Sequence, residues 1–323
     1  MDKSTLEECL ILKEKPVKIT GGGNHTLLLT ESGSLYIAGE INGKRFEKFE
    51  LIDARYGKIM DMTSGWDFGV MVNEYNELYV FGIGLNGELG LSEKVTSCDV
   101  LNPKFVIKFD HKIKKINSSL HNTVLILENG EVYGWGNNKK QQLLQHDLTK
   151  SNKIIWEPTR LFVTFSNLRF ANCRDFIVYQ FVNPETNETN KFELRGKDNF
   201  NILNGLNSKE HIIDMKPMWS SVHLLIVETE TQSKKIRSLG NNSNCQLFPT
   251  SSNLDIKDYL IGSEHGLTLT LDNKVLAWGW GEHGNCGTTQ NENNVILNQL
   301  YNGIETVKGI YSGCSTSWVI VQI

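Results

Sequence analysis

Gly23-Asn24-His25-Thr26-Leu27-Leu28-Leu29, then Glu31-Ser32-Gly33, then Leu35-Tyr36-Ile37-Ala38-Gly39: a small residue, two variable positions, an apolar run, a turn, and a second apolar run closed by glycine. Apolar runs this short, bounded by Gly, Asn and Ser, read as two antiparallel strands about a tight turn. The frame returns as Gly65-Trp66-Asp67 with Leu78-Tyr79-Val80-Phe81-Gly82, and as Ser119-Leu120-His121 with Val132-Tyr133-Gly134-Trp135-Gly136. Weaker copies run from Cys173-Arg174-Asp175 to Leu194-Arg195-Gly196 and from Met218-Trp219-Ser220 to Ser238-Leu239-Gly240. Ser263-Glu264-His265 pairs with Val275-Leu276-Ala277-Trp278-Gly279, and a last copy opens at Gly313-Cys314-Ser315 and runs to Ile323.

The third position of each copy falls at residues 25, 67, 121, 175, 220, 265 and 315. The mean period of about 48 residues lies in the range of propeller repeats. A helical solenoid would show amphipathic helices within that period, and none is present. A small twisted sheet cannot bury both faces alone, so stacking around an axis supplies the core. The expected fold is all-β: a seven-bladed β-propeller of antiparallel four-stranded blades with an atypical or incomplete seventh blade. Residues 18–323 form one propeller domain in this reading, and residues 1–17 a linker-like segment. The seventh copy has inner strands from Ser317 to Ile323 but no aromatic-Gly half. It is expected either to have fewer strands than its neighbours or to be completed by residues 5–13, which include Leu10-Ile11-Leu12.

With 39% hydrophobic and 22% charged residues, the chain of 323 residues has the composition of an ordinary globular protein. A net charge of −4 gives no global attraction to nucleic acid. The local run Lys108, Lys112, Lys114, Lys115 reads as solvated loop surface. Cysteines at 9, 98, 173, 245, 286 and 314 form no Cys-x-x-Cys pair, so neither a zinc knuckle nor a disulfide framework is signalled. Mixed charge over residues 1–18 argues against a signal peptide, and no segment has the length of a membrane span. A cytoplasmic and nuclear location is expected.

Gly82-Ile83-Gly84-Leu85-Asn86-Gly87 and Gly279-Trp280-Gly281-Glu282-His283-Gly284 both satisfy Gly-x-Gly-x-x-Gly. Both keep register with the repeat and lack the helix that a dinucleotide fingerprint opens, so they read as turns and no cofactor is expected in this chain. His25, His121 and His265 fall in the position held elsewhere by Asp67, Asp175, Ser220 and Ser315, which suits one shared structural role. No nucleophile elbow or acid–base pair accompanies them, and the chain is expected not to be an enzyme and to have no catalytic residue. Glu264, His265, His283 and Cys286 lie on turns of one repeat without established metal geometry. Trp66 and Trp219 stand where copies one and six carry Asn24 and Glu264, and Trp280 stands where copy three carries Asn137. Large aromatics at such positions act as packed plugs or as contact anchors.

Val132-Tyr133-Gly134-Trp135-Gly136-Asn137-Asn138 and Phe81-Gly82 through Asn86-Gly87-Glu88-Leu89-Gly90 resemble the repeat of the regulator of chromosome condensation superfamily, from about residue 18 to the C-terminus. Gly262-Ser263-Glu264-His265-Gly266, Ala277-Trp278-Gly279-Trp280-Gly281-Glu282-His283-Gly284-Asn285-Cys286-Gly287, Met218-Trp219-Ser220-Ser221-Val222-His223 and Ser312-Gly313-Cys314-Ser315-Thr316-Ser317-Trp318 resemble the fungal killer-toxin-insensitivity propellers more closely. That resemblance implies a scaffold forming a heterodimer with a small CSL-type zinc-finger protein, the metal being carried by the partner. It further implies work with Elongator and diphthamide-synthesis components, in diphthamide formation on elongation factor two and modification of the tRNA wobble uridine. No direct nucleic-acid or membrane contact is implied. The deviating positions Trp66, Trp219, Glu264, Trp280, Glu282 and His283 are the expected partner-binding residues. The alternative, implied by the wider superfamily, is a guanine-nucleotide exchange factor or regulator for a small nuclear GTPase.

Overall fold

A computed structural model of the chain describes residues 5–8, 14–52, 54–144, 152–250, 252, 254–287 and 294–322. Each repeat becomes a meander of antiparallel strands, its first strand innermost. Blade 1 comprises Pro16–Gly21, His25–Thr30, Leu35–Ile41 and Lys44–Leu51, and blade 3 comprises Ile113–Ser118, Asn122–Leu127, Glu131–Asn137 and Ile154–Val163. Blade 6 comprises Ile256–Ile261, His265–Thr270, Val275–Trp280 and Asn294–Tyr301. In blade 2, after Ile59–Ser64, Phe68–Asn73 and Glu77–Ile83, the outer position is shared by Ser97–Cys98 and Lys104–Lys108. Blade 4 (Asn167–Asn172, Phe176–Val182, Thr189–Gly196) and blade 5 (Ile212–Pro217, Ser221–Val227, Lys234–Gly240) have three strands.

The propeller therefore has six blades, not the expected seven, and they are not uniformly four-stranded. The last repeat yields only the two-stranded ribbon Thr306–Ser312 and Ser317–Gln322. Among the described residues no aromatic-Gly strand pairs beside Ser317–Gln322, where the other repeats place their third strand. The expectation of fewer strands at the seam matches this ribbon. Its completion by residues 5–13 rests on Leu10-Ile11-Leu12, which lie outside the described residues. The ribbon packs against blades 6 and 1, with the Tyr311 hydroxyl 3.4 Å from the Pro16 carbonyl oxygen.

Second strands such as His25–Thr30, Phe68–Asn73 and His265–Thr270 are buried along their whole length, because a neighbouring blade covers each face. Hence they read as continuous apolar or small runs and not as alternation. Core clusters sit between adjacent blades, as with Leu27, Ile37, Met62, Met71 and Phe81 between blades 1 and 2.

The turns joining first and second strands converge on the axis and are stitched blade to blade through the backbone. The Gly23 N–H donates to the Trp66 carbonyl (2.8 Å), and the Trp66 N–H to that of Leu120 (3.0 Å). Arg174 donates to Trp219 (2.9 Å), Trp219 to Ser263 (3.0 Å) and Ser263 to Gly313 (3.3 Å). The aromatic-Gly motif has its own cause. Gly82 pairs with Phe68 at φ +101°, where a Cβ would lie 2.2 Å from the Asp67 carbonyl oxygen. Left-handed backbone and that carbonyl together admit only glycine. Gly82→Ala is expected to lower the unfolding free energy by about 2 kcal/mol, read as a lower urea midpoint at unchanged slope.

Candidate functional site

Strand pairing sets the register that motif matching missed by one residue. His25 pairs with Gly39 and His265 with Gly279, just as Phe68, Asn122, Phe176 and Ser221 pair with the equivalent glycines. His25 and His265 thus occupy the buried start of the second strand, one residue beyond His121. The preceding position holds Asn24, Asp67, His121, Asp175, Ser220 and Glu264. In all six the carbonyl accepts the N–H that follows the glycine: Glu40 on Asn24, Ile83 on Asp67, Asn137 on His121, Lys197 on Asp175, Asn241 on Ser220 and Trp280 on Glu264. Trp66 and Trp219 are equivalent to Gly23, Leu120, Arg174 and Ser263, the positions nearest the axis, and not to Asn24 and Glu264.

That correction brings the tryptophans together. Trp66 of blade 2 and Trp219 of blade 5 approach with ring centroids 5.7 Å apart, although their blades are not neighbours. The pair bridges one mouth of the central channel. Trp66 also lies on Gly23, where a Cβ would be 2.8 Å from the indole, yet it keeps 37% of its surface exposed. Both readings of these residues, plug and anchor, describe part of this geometry.

Trp280 joins the same face. A second strand runs away from the axial turn and the third strand returns, so loops after third strands fall beside those turns. Trp280 and His283 have ring centroids 6.2 Å apart, and Glu282 and His283 are exposed. The six expected residues therefore share one face, with Trp66, Trp219 and Glu264 near its axis and Trp280, Glu282 and His283 farther out.

Two carboxylates flank the tryptophan pair at equivalent blade junctions. At the junction of blades 5 and 6, the Gln246 Nε2 donates to Glu264 Oε2 (2.8 Å). Burial raises the Glu264 carboxyl above its ordinary pKa, against the pull of Gln246 and the Arg174 charge. At the junction of blades 2 and 3, the polarity is reversed: Glu88, only 3% exposed at its side chain, accepts from His121 Nδ1 at 3.0 Å. Burial works against Glu88 ionisation, but the bonds from His121 and from the Asn86 backbone and amide outweigh it and lower its pKa. Burial, reinforced by Glu88, raises Asp67 between them, with His121 opposing.

Glu88 and His121 were missed as a pair. The signal was available: in this loop Gln142 and Gln246 receive the backbone N–H two residues before, as Glu88 does from Asn86, so Glu88 is a glutamine position turned acidic. Among the described residues no group of three or more His, Cys, Asp or Glu is placed to hold a metal. Cys286 is buried, its thiol directed at the Trp278 carbonyl (3.6 Å). Both Gly-x-Gly-x-x-Gly segments end third strands, and neither opens a helix.

Comparison with known proteins agrees with this architecture. The regulator of chromosome condensation (RCC1) repeat matches residues 113–142, the three inner strands of blade 3 with the loop that follows. An RCC1 repeat-containing protein of Schizosaccharomyces pombe is 24% identical over 94% of this chain and 89% of its own length. The mouse secretion-regulating guanine nucleotide exchange factor is 23% identical over 83% of this chain and 67% of its own. Among solved structures, Prp20p of Saccharomyces cerevisiae superposes with a TM-score of 0.73 at 16% identity, covering 94% of this chain and 81% of that one. Human WBSCR16 gives 0.73 at 14% identity, covering 94% and 86%. The repeat match and the relatives support an RCC1-repeat propeller, and the solved structures speak for the fold alone.

Proposed function

We propose that this chain is a non-catalytic interaction scaffold whose axial face docks a small CSL-type zinc protein. The partner carries the metal, and the heterodimer serves diphthamide synthesis and Elongator-dependent wobble-uridine modification in cytoplasm and nucleus. One observation carries the docking surface: two part-exposed tryptophans meet over the axis between carboxylates. Aromatic anchors at the centre of a polar rim are the arrangement in which a few residues supply most of the binding energy. Trp66, Trp219 and Glu264 form the centre of this surface, and Trp280, Glu282 and His283 its rim. The choice of partner rests on the resemblance of the C-terminal repeats to the killer-toxin-insensitivity propellers.

The test is calorimetric titration of the purified zinc protein. Trp66→Ala and Trp219→Ala are each expected to weaken binding by about 2 kcal/mol, roughly thirtyfold, with Trp280→Ala smaller. Melting curves of each variant separate lost contact from lost fold. Full affinity in all three folded variants would remove the site, and no binding by the parent would remove the partner. The exchange-factor reading is kept alive by the name of the mouse relative. Accelerated nucleotide release from a small nuclear GTPase, without zinc-protein binding, would put it first.

A further inference from the structure

Four blades show what lies outside a third strand. In blades 1, 3 and 6 an outer strand pairs antiparallel with it, and in blade 2 two shorter segments do. Blade 4 stops at Thr189–Gly196, and among the described residues no strand pairs with the far side of that strand. The Lys197 N–H donates to the Asp175 carbonyl (3.0 Å), while Arg195 pairs with Ile177 and Glu193 with Tyr179. In an antiparallel ladder this phase turns the backbone groups of Phe192 and Leu194 outward. Gly196 is equivalent to Gly136, so these two residues are equivalent to Val132 and Gly134, which meet Phe162 and Thr159 of the outer strand in blade 3.

A groove of about 490 Å³ lies beside this open edge, between Thr189–Gly196 and the outer strand of blade 3. Phe162 and Phe181 line it, with ring centroids 6.1 Å apart. Lys191, Glu193 and Arg195, on one face of their strand, form the wall on the blade 4 side. The Arg195 guanidinium sits 4.5 Å from the Phe162 ring centroid, and the Lys191 ammonium 4.6 Å from that of Phe181. Glu193 accepts from Arg195 Nε at 2.7 Å and lies 3.5 Å from Lys191 Nζ. Two cations thus share one carboxylate, and the Lys191 side chain stays 60% exposed. Apolar surface continues from the groove, with Val163 48% and Phe165 94% exposed.

One position tells which charge the edge accepts. Five residues before the glycine, blades 2 and 3 carry Glu77 and Glu131, and the outer strand brings a cation to each: Lys108 Nζ at 3.6 Å and Arg160 Nη1 at 2.9 Å. Lys108 is therefore a strand residue, as are Lys114 and Lys115 of Ile113–Ser118, and not the loop surface that the run of lysines suggested. In blade 4 the same position holds Lys191, so the polarity is inverted. Its complement on an added strand is a carboxylate.

We propose that the open edge of blade 4 takes an extended acidic segment of a partner protein as its fourth strand. The segment runs antiparallel to Thr189–Gly196, with a carboxylate facing Lys191 and an apolar side chain over Phe162 and Phe181. Strand addition of this kind draws affinity from main-chain hydrogen bonds and specificity from side chains at alternate positions. A second copy of the chain would bring the same excess of cations to the edge, and an exposed lysine is a common guard against such self-pairing. The edge lies on the outer wall, apart from the axial face, so its test is independent of the zinc-protein reading.

The probe is a synthetic peptide of residues 154–163, the outer strand of blade 3, carrying Arg160→Glu, titrated against the full chain beside the same peptide with Arg160 retained. The acidic peptide is expected to bind roughly fivefold more tightly, and to slow hydrogen exchange at the Phe192 and Leu194 amides. In the Lys191→Glu chain the preference should reverse. Absence of binding by the acidic peptide would overturn the proposal, as would binding that leaves those two amides unprotected or a preference unchanged in folded Lys191→Glu. If that variant folds poorly, the two peptides and the exchange pattern on the parent decide alone. Sedimentation of the chain without peptide gives the remaining outcome: a dimer with the same amides protected would assign the edge to a second copy and overturn the acidic partner.

Discussion

Acidification from pH 7 is expected to unfold this protein with a midpoint between about pH 5 and pH 4, far more steeply than its surface charge would produce. Three histidines are buried at the starts of, or within, second strands: His25, His223 and His265, none more than 3% exposed. Burial lowers their pKa values from 6.5 to about 4, about 3 and about 4 respectively. The His223 ring lies between Ser221 Oγ (3.1 Å) and Ser238 Oγ (2.8 Å), which satisfy the neutral ring but supply no charge for a cation. Neither nitrogen of His25 has a partner among the described residues.

Because the folded pKa lies below the unfolded one, the neutral ring stabilises the fold fully above about pH 6.5, and that contribution falls as pH drops toward the folded value. Each histidine forfeits about 2 kcal/mol by pH 5. Three together reach about 6 kcal/mol, comparable with the whole stability of a typical domain. Glu88 and Asp214, with lowered pKa values, are lost at lower pH and extend the decline. Glu264 and Asp67, with raised values, oppose it as they protonate. Urea titrations at a series of pH values read the effect directly. His25→Asn places there the residue that blade 3 uses at position 122, and should flatten the profile between pH 7 and 5 by about 2 kcal/mol. A parent whose urea midpoint is unchanged between pH 7 and pH 5 would show that these rings are not held neutral by burial.

The repeat was legible because its constraint is local. A glycine at positive φ, between +92° and +133°, recurs near the end of each third strand at Gly39, Gly82, Gly136, Gly196, Gly240 and Gly279. The error of one residue arose at the other end of the motif, where Gly-Asn-His and Gly-Trp-Asp look alike as strings. Only pairing with the glycine shows that His25 matches Phe68. The blade count failed at the ribbon, since a repeat can open without the strands that would complete a blade. The fourth strands failed in blades 4 and 5, where Gly196 and Gly240 are followed by the short helix Ile202–Gly205 and by irregular backbone. An ion pair between inner strands was hidden because its members lie on different blades. Lys18 and Asp61 touch, yet in sequence they are separated by the whole of blade 1 beyond its first strand.

Trp278→Ala is expected to cost about 3 to 5 kcal/mol, the largest loss from any single side chain in blade 6. Trp278 is fully buried, packs edge-on against Phe248 with centroids 4.9 Å apart, and fills space left by Gly266, where a Cβ would lie 2.2 Å from the indole. Its Nε1 donates to the Gln246 carbonyl at 2.9 Å, tying blade 6 to the loop of blade 5. Trp135 repeats the bond one half-turn around the ring, donating to the Glu88 carbonyl at 2.9 Å. Each indole thus anchors the residue whose side chain holds a carboxylate station of the axial face: Gln246 for Glu264, Glu88 for His121. Trp278→Phe separates the two roles. It keeps most of the packing and removes the hydrogen bond, so stability should fall by only about 1 to 2 kcal/mol. The Gln246 loop should loosen at the same time, weakening any partner that reads Glu264. Denaturation curves and partner titrations on the same two variants distinguish these effects. A Trp278→Ala protein within about 1 kcal/mol of the parent would mean the blade junction is held elsewhere. Unchanged partner affinity in Trp278→Phe would mean that Glu264 does not depend on this anchor.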